Sequence, residues 1–247
     1  MRDGDRLVVT IDGAYTRTSG DAALLVTGVP FPTLNGVLTF RRSAQRNDVV
    51  RLLDVVAATG LPHALSIRPG CEVDFAAVAQ ARGLVADEPI PLMAMERDVD
   101  AVRKAAQHPE MTIRQLEPRE AGIHASIGAE GFDAPREAFE RLISPAAMAL
   151  TGFRAYVGTA HGEHVTTAVG STLGEYVGIF DVATPERHRG HGYGKAVTAR
   201  AVLDGFGDGA TCAYLQSSPM GFKIYERIGF RTLETWSVWV SGSPSHS

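Results

Sequence analysis

Arg189, Gly192 and Gly194 stand in the order Arg-x-x-Gly-x-Gly, between a β-type run that ends at Val182 and a helix-like run that reaches Leu203. A glycine-spaced basic turn at a helix N-terminus points several backbone N–H groups toward one anionic group. Arg189, Gly190, His191, Gly192, Tyr193, Gly194 and Lys195 are therefore candidates for a pyrophosphate cradle. Two better-known phosphate loops are excluded by spacing. A Walker loop requires a glycine four residues ahead of its Gly-Lys pair and a Ser or Thr after it, but Arg189 and Ala196 occupy those positions. A dinucleotide fingerprint requires Gly-x-Gly-x-x-Gly, whereas Gly190, Gly192 and Gly194 alternate strictly. The remaining common reading is coenzyme A.

A second motif spans the helix that follows the next strand, Ser218-Pro219-Met220-Gly221-Phe222-Lys223-Ile224-Tyr225-Glu226-Arg227-Ile228-Gly229-Phe230. Together the two segments resemble the GNAT superfamily of acyl-CoA-dependent N-acyltransferases. That family's central motif is Arg or Gln-x-x-Gly-x-Gly or Ala after a strand with an aliphatic end, here Val182. Its second motif is Asn-x-x-Ala-x-x-x-Tyr-x-x-x-Gly-Phe, matched here with Ser218 for Asn and Gly221 for Ala. The resemblance implies acetyl-CoA as co-substrate, with no metal, in a site lined by Val182, Ala183, Thr184, the 189–195 turn, Ser218, Gly221 and Tyr225.

Direct attack of an amine on a thioester needs a donor for the oxyanion, an acid for the departing thiolate and a base for the ammonium. By the same resemblance the backbone N–H near Val182 serves the oxyanion and Tyr225 protonates the thiolate. A phenol pKa of about 10 lies near that of a thiol, so the transfer is close to balanced. The base is open. Glu175 and Asp181 lie on the strand that family members use, but Tyr176 falls where a catalytic Glu commonly stands. Glu175 is thus one residue out of register unless a bulge at Gly174 or Gly178 restores it; a water chain or the substrate's own free amine are the substitutes.

Ser218 reads equally as a plain N-cap, and Gly221 either admits the ligand to the backbone or packs tightly. His161 and His164 flank a predicted turn without a third ligand, so they read as exposed turn residues. His188 and His191 assist phosphate binding or face water. Cys212 on a strand has no activating partner and reads as packing. Trp236 and Trp239, three apart on a strand, face opposite sides, one toward the core and one toward an acceptor pocket.

A chain of 247 residues with 45% hydrophobic and 21% charged residues is of ordinary globular composition, with room for one large or two small domains. The net charge of −4 and a single dense basic cluster, Arg187-His188-Arg189, argue against nucleic acid. No signal peptide is apparent in Met1–Arg6 and no apolar segment is of membrane-spanning length, so a cytoplasmic location without membrane attachment is expected. Cys71 and Cys212 form no pattern.

Periodicity places strands at 111–116, 153–159, 164–173, 176–182 and 211–216, a final pair through Thr232 and 236–240, and helices from Pro118, at 135–143, 195–203 and 220–228. Ser218 and Pro219 open the last helix and Gly229 stops it. This is the GNAT order. Ahead of it, helices at 47–58 and 72–82 and strands at 65–67 and 92–95 repeat in outline the end of the C-terminal half, with Arg82-Gly83-Leu84 in place of Arg227-Ile228-Gly229-Phe230. The reading is therefore an α/β, GNAT-like fold, a mixed central sheet flanked by helices, in tandem with a degenerate N-terminal copy. Residues 1–108 form the degenerate domain and 109–247 the catalytic one, with a linking helix over 99–107. The tail 241–247 has a disordered composition.

The expected activity is acetyl transfer from acetyl-CoA to a primary amine, a small molecule ahead of a protein lysine, by a monomer or homodimer with one coenzyme site per chain. The alternatives are a catalytically silent acyl-CoA-binding regulator and a protein-lysine acetyltransferase. Variable loops such as 128–135 set the acceptor, whose identity is open.

Overall fold

The computed structural model describes residues 8–71 and 73–242. Met1–Arg6, Glu72 at the start of one expected helix, and most of the expected disordered tail lie outside the described residues. The chain forms two compact units, Met1–Leu92 with Glu234–Ser247, and Met93–Leu233.

In the first unit, β1 (Tyr15–Ser19), β2 (Ala22–Val26) and β3 (Asn35–Thr39) form an antiparallel meander. Helix α1 (Arg46–Ala57) crosses over to β4 (Ala64–Ile67), which pairs parallel to β3. The crossover follows from sequence: Val49, Leu52, Leu53 and Val56 recur at helical spacing and are buried against Leu24, Val37 and Leu65. Asn35, fully buried, accepts from the Thr27 and Gly28 N–H groups and donates to the Val29, Phe31 and Pro62 carbonyls, fixing the entry to β3. Helix α2 (Phe75–Gln80) is capped by Asp74 and ends in Arg82-Gly83-Leu84, with Gly83 at φ 71, before β5 (Val85–Glu96).

The second unit begins at Met93, and α3 (Val99–Ala106) belongs to it: Val102 and Ala105 are buried in its core. The segment read as a linker at the 108/109 division is in this sense a core element. Then come β6 (Met111–Gln115), α4 (Ala121–Phe132), α5 (Arg136–Leu142), α6 (Pro145–Met148), β7 (Phe153–Ala160), β8 (Glu163–Leu173) and β9 (Tyr176–Ala183). They are followed by α7 (Tyr193–Gly207), β10 (Cys212–Gln216), α8 (Pro219–Glu226) and β11 (Arg231–Val240). Strands β6 to β9 are antiparallel neighbours and β10 pairs parallel to β9. Alternation sends Gly170 of β8 toward Ala201 of α7 and Thr167 toward His124 of α4, so these helices cover opposite faces. The end of the chain is one strand rather than a pair, because nothing between Thr232 and Trp236 can turn it. Its last residues, Ser237–Val240, pair antiparallel with β4 within the first unit. The expected acceptor loop 128–135 is mostly helix, since α4 runs to Phe132 and stops at Asp133 in the left-handed region.

Close packing of α7 on β9 rests on Gly205, where an added Cβ would lie 2.6 Å from the Val177 Cβ. Gly205→Ala is expected to destabilise the protein by about 1–2 kcal/mol, overpacking outweighing the better helix propensity. Gly207→Ala, with nothing within 4 Å of its added carbon, should leave stability unchanged or raise it slightly. Urea unfolding of both variants checks this; equal stabilisation by both would contradict the packing.

Candidate active site

Strands β9 and β10 bond over three residue pairs only, Tyr176 with Cys212, Val177 with Ala213 and Gly178 with Tyr214. Both strands then continue, β9 to Ala183 and β10 to Gln216, with no ladder between them. Gly178 marks the place: a side chain there would collide with the Phe180 and Tyr214 rings, which stand edge to face at 6.2 Å. A cleft opening toward the carboxyl ends of two parallel strands is the usual location for a ligand in an α/β sheet. The glycine turn after β9 and the start of α8 after β10 both lie at that end.

A β-bulge lies in β9. Between Thr167 and Val169 of β8 the partner on β9 moves from Ala183 to Phe180, so Asp181 and Val182 together oppose Ala168. Asp181 takes φ 47, a left-handed conformation that an aspartate tolerates better than most residues. The bulge is thus at Asp181 rather than at Gly174 or Gly178. Gly174 and Glu175 form the two-residue turn between β8 and β9, where the Glu175 carbonyl accepts from the Thr211 and Cys212 N–H groups. Glu175 therefore stands at the opposite end of β9 from Val182, about 23 Å away at the rise of a strand. The structure does not bring it together with the other candidates, because the bulge acts downstream of it.

The turn between β9 and α7 is held from several sides. Thr166 Oγ1 donates to the Ala183 carbonyl and contacts Thr184 Oγ1 at 2.9 Å. Arg189 spends its side chain on structure, donating to the Thr184 carbonyl at 3.2 Å and to the Gly131 carbonyl at 3.0 Å. His108 Nε2 lies 2.8 Å from the His191 carbonyl, and the His191 ring stacks on Tyr193. Tyr193 itself is buried with Met111, Val165 and Ala196, leaving only its backbone for a ligand. Arg187 pairs with Glu130, and His188 lies 3.5 Å from Glu163. Gly190 and Gly192 are both at φ 84, Gly192 as the residue before α7, so the turn needs glycine for its backbone. At Gly194 φ is ordinary and a side chain would meet Thr184 Oγ1 at 3.3 Å. The N–H groups of Tyr193, Gly194 and Lys195, in the first turn of α7, lack intrahelical acceptors and carry the positive end of the helix.

On α8, Ser218 caps the helix, its hydroxyl accepting from the Gly221 N–H at 3.2 Å, with Pro219 at the first position. Gly221 makes room for a neighbour on its own helix, since an added Cβ would lie 2.7 Å from the Tyr225 ring. Tyr225 packs edge-on to Phe230, and burial pushes its phenol up to about 12. Tyr225 lies in the same core as Leu215 and Ile179, the residues just past the end of the β9–β10 ladder.

One buried residue went unread in the sequence. His124 of α4 is fully buried, with Nδ1 2.8 Å from Thr167 Oγ1 and Nε2 3.9 Å from Asp181 Oδ2. Thr167 gives its only hydroxyl proton to the Tyr156 carbonyl, so His124 Nδ1 must be the donor to Thr167 and Nε2 carries a bare lone pair. That nitrogen has no hydrogen-bond partner. Burial holds the imidazole down to about 4 and pushes the Asp181 carboxyl up to about 6. The signal was present: Ala121, Ala125 and Gly128 share the buried face of the helix, and His124 stands among them.

The remaining candidates stay apart. His161, in the β7–β8 turn at φ 52, lies 3.9 Å from Glu110, and His164 contacts Thr159. Cys212 is half-buried with its thiol pushed up by burial and by Glu96, the direction away from a nucleophile. Trp239 packs against the core of the first unit, while Trp236 donates to Glu234. Among the described residues no group of three or more His, Cys, Asp or Glu side chains is gathered for a metal, and no helix is long and apolar enough to cross a membrane.

No protein-family model and no curated protein matches this sequence. Solved structures do match its fold. A GCN5-related N-acetyltransferase from Kribbella flavida superposes with a TM-score of 0.70 at 17% identity, over 98% of this chain and 95% of that one. A GCN5-related N-acetyltransferase-like protein from Streptococcus suis gives 0.61 at 14% identity, over 94% and 91%. A tandem GNAT protein from the clavulanic acid biosynthesis pathway gives 0.57 at 15% identity, over 96% and 86%. Identities this low speak for architecture alone, and the architecture of this chain is the GNAT fold.

Proposed function

We propose that the chain is an N-acyltransferase that moves an acetyl group from acetyl-CoA to a primary amine by direct attack on the thioester. The observation that carries this reading is the β9–β10 ladder that ends at Gly178 and Tyr214, with a glycine-lined helix N-terminus beyond one strand and a buried tyrosine beyond the other. The diphosphate suits the free N–H groups of Tyr193, Gly194 and Lys195, and the small residues Gly190, Gly192 and Gly194 let it approach them. The pantetheine arm fits between the unpaired ends of β9 and β10. At the bulge Asp181 and Val182 lie outside the β8 register, and this reading gives the Val182 N–H to the oxyanion.

Tyr225 supplies the proton to the departing sulfur. Burial holds its phenol up at about 12, so the proton stays on Tyr225 until a thiolate forms beside it. The reaction belongs to the C-terminal half. In the N-terminal half the turn after β3, Phe40-Arg41-Arg42-Ser43-Ala44-Gln45, has no glycine and no alternation, which supports one coenzyme site per chain.

Two outcomes test this. Gly194→Val should weaken acetyl-CoA binding at least tenfold with a smaller loss of Tm than Gly192→Val, because its backbone is ordinary and its added carbon meets only Thr184 Oγ1 at 3.3 Å; Gly192→Val should lose binding and stability together. Calorimetry with both variants is the check, and unchanged affinity in Gly194→Val would move the cradle elsewhere. Tyr225→Phe should keep coenzyme affinity within a few-fold yet slow single-turnover acetyl transfer by about 10²-fold or more. Wild-type chemistry in that variant would leave Tyr225 as packing.

A further inference from the structure

Two groups that accept protons face each other beside the bulge, and none of the roles above uses them. His124 Nε2, bare and buried, looks across 3.9 Å at Asp181 Oδ2. Neither atom can donate to the other while the carboxyl is ionised and the imidazole neutral, which accounts for a distance longer than a hydrogen bond. Such a pair is a vacant seat for one proton. One edge of the seat is open, since Asp181 keeps 26% of its side-chain surface while His124 keeps none. Asp181 also immediately precedes Val182, whose N–H is the oxyanion donor in the reading above.

We propose that Asp181 is the base that takes a proton from the attacking ammonium, and that His124 is the positioning residue that shares this proton through Nε2. The inference rests on the acyl-transfer reading. An ammonium N–H bond breaks, its electron pair stays on nitrogen, and the proton moves to Asp181 Oδ2, where His124 Nε2 accepts a hydrogen bond from it. The freed nitrogen pair forms the bond to the carbonyl carbon. The carbon–sulfur bond breaks with its pair going to sulfur, which takes the Tyr225 proton; the amide nitrogen returns one to Tyr225. One proton per turnover stays on the pair and leaves to solvent.

On α4, β7, β8 and β9 the remaining ionisable side chains are Glu130, Arg154, Tyr156, Glu163, His164 and Tyr176; on α5 and the 118–120 turn, which pack against α4, they are Arg136, Glu137, Glu140, Arg141, Arg119 and Glu120. Arg136 bonds Glu140 and Ser126, Glu120 pairs with Arg114, and Arg119 with Glu117. Glu130 pairs with Arg187, Arg154 with Asp208, and Glu163 lies near His188. Tyr156 bonds Asp204 on the opposite face, His164 contacts Thr159, and Tyr176 is exposed at the far end of β9. Burial is thus the cause of both pKa shifts, and the charge of the pair is set by its own proton.

Single-turnover transfer by Asp181→Asn and His124→Gln tests the proposal, with acetyl-CoA and both an alkylamine and an alkoxyamine that is unprotonated at the assay pH. Asp181→Asn should slow the alkylamine reaction about 10²-fold or more at pH 7 and leave the alkoxyamine reaction within a few-fold of wild type, because that nucleophile needs no base. His124→Gln should fall between, with the low-pH limb of its rate profile displaced from the wild-type limb near pH 6. Asparagine accepts the left-handed backbone, so Asp181→Asn should fold. Its Tm should exceed that of wild type at pH 8, the gain fading as pH falls from about 6 toward the ordinary 3.8, since the folded carboxyl is the weaker acid. Equal slowing of both nucleophiles, or no slowing, overturns the proposal. Nitrogen-15 NMR of the wild-type imidazole tests the seat without a variant: above pH 6 Nδ1 should be protonated and Nε2 bare, and a protonated Nε2 would refute it. If wild type itself transfers to no amine, the acyl-transfer reading fails instead.

Discussion

The second unit depends on one break in hydrogen bonding. Parallel strands in a sheet ordinarily stay bonded, because each unpaired backbone group left in a buried setting costs free energy. Here the β9–β10 ladder stops at Gly178 and Tyr214 while both strands go on. The Phe180 and Tyr214 rings occupy the space that a side chain at position 178 would need. Past that point β9 has no ladder to β10, and on its other edge the bulge at Asp181 interrupts the register with β8.

The surrounding elements hold the strand ends in this state. Gly131 lets the end of α4 approach so closely that an added Cβ would lie 2.9 Å from the Ala183 Cβ. Arg189 ties the turn back to Gly131 and Thr184, so the basic residue of the motif orders the turn with its side chain, and in the proposed site the anion falls to the helix N-terminus. On the other face Gly205 brings α7 against Val177, on the bonded part of β9. The glycines at 131, 178 and 205 thus work by steric room, whereas those at 190 and 192 work by their left-handed backbone.

Much of this was legible in sequence because it is local. The turn 189–195, the capped helix from Ser218 and the hairpin at His161-Gly162 each declare themselves within a few residues, and all three are present. The pairing of His124 with Asp181 was not legible, since it depends on α4 lying over a bulge in β9. Glu175 was weighed as a base on the strand of Asp181, although strands at 164–173 and 176–182 already leave Gly174 and Glu175 as the turn between them, and that turn sets which residues can reach the cleft. In the first unit the strands β1 to β3 are short, and Ala22–Val26 reads as a continuous apolar run with no period to identify it. The last strand was split in two by its composition, yet it runs unbroken from Arg231 to Val240, with only Ser237–Val240 paired to β4.

The central claim is that the open end of the β9–β10 pair is an acyl-CoA site, and that the N-terminal half has none. Isothermal titration of the intact wild-type chain with acetyl-CoA tests it most directly. The account predicts saturable binding at one site per chain. Two equivalent sites would contradict the reading of the N-terminal half, and no binding would contradict the assignment of the cleft itself.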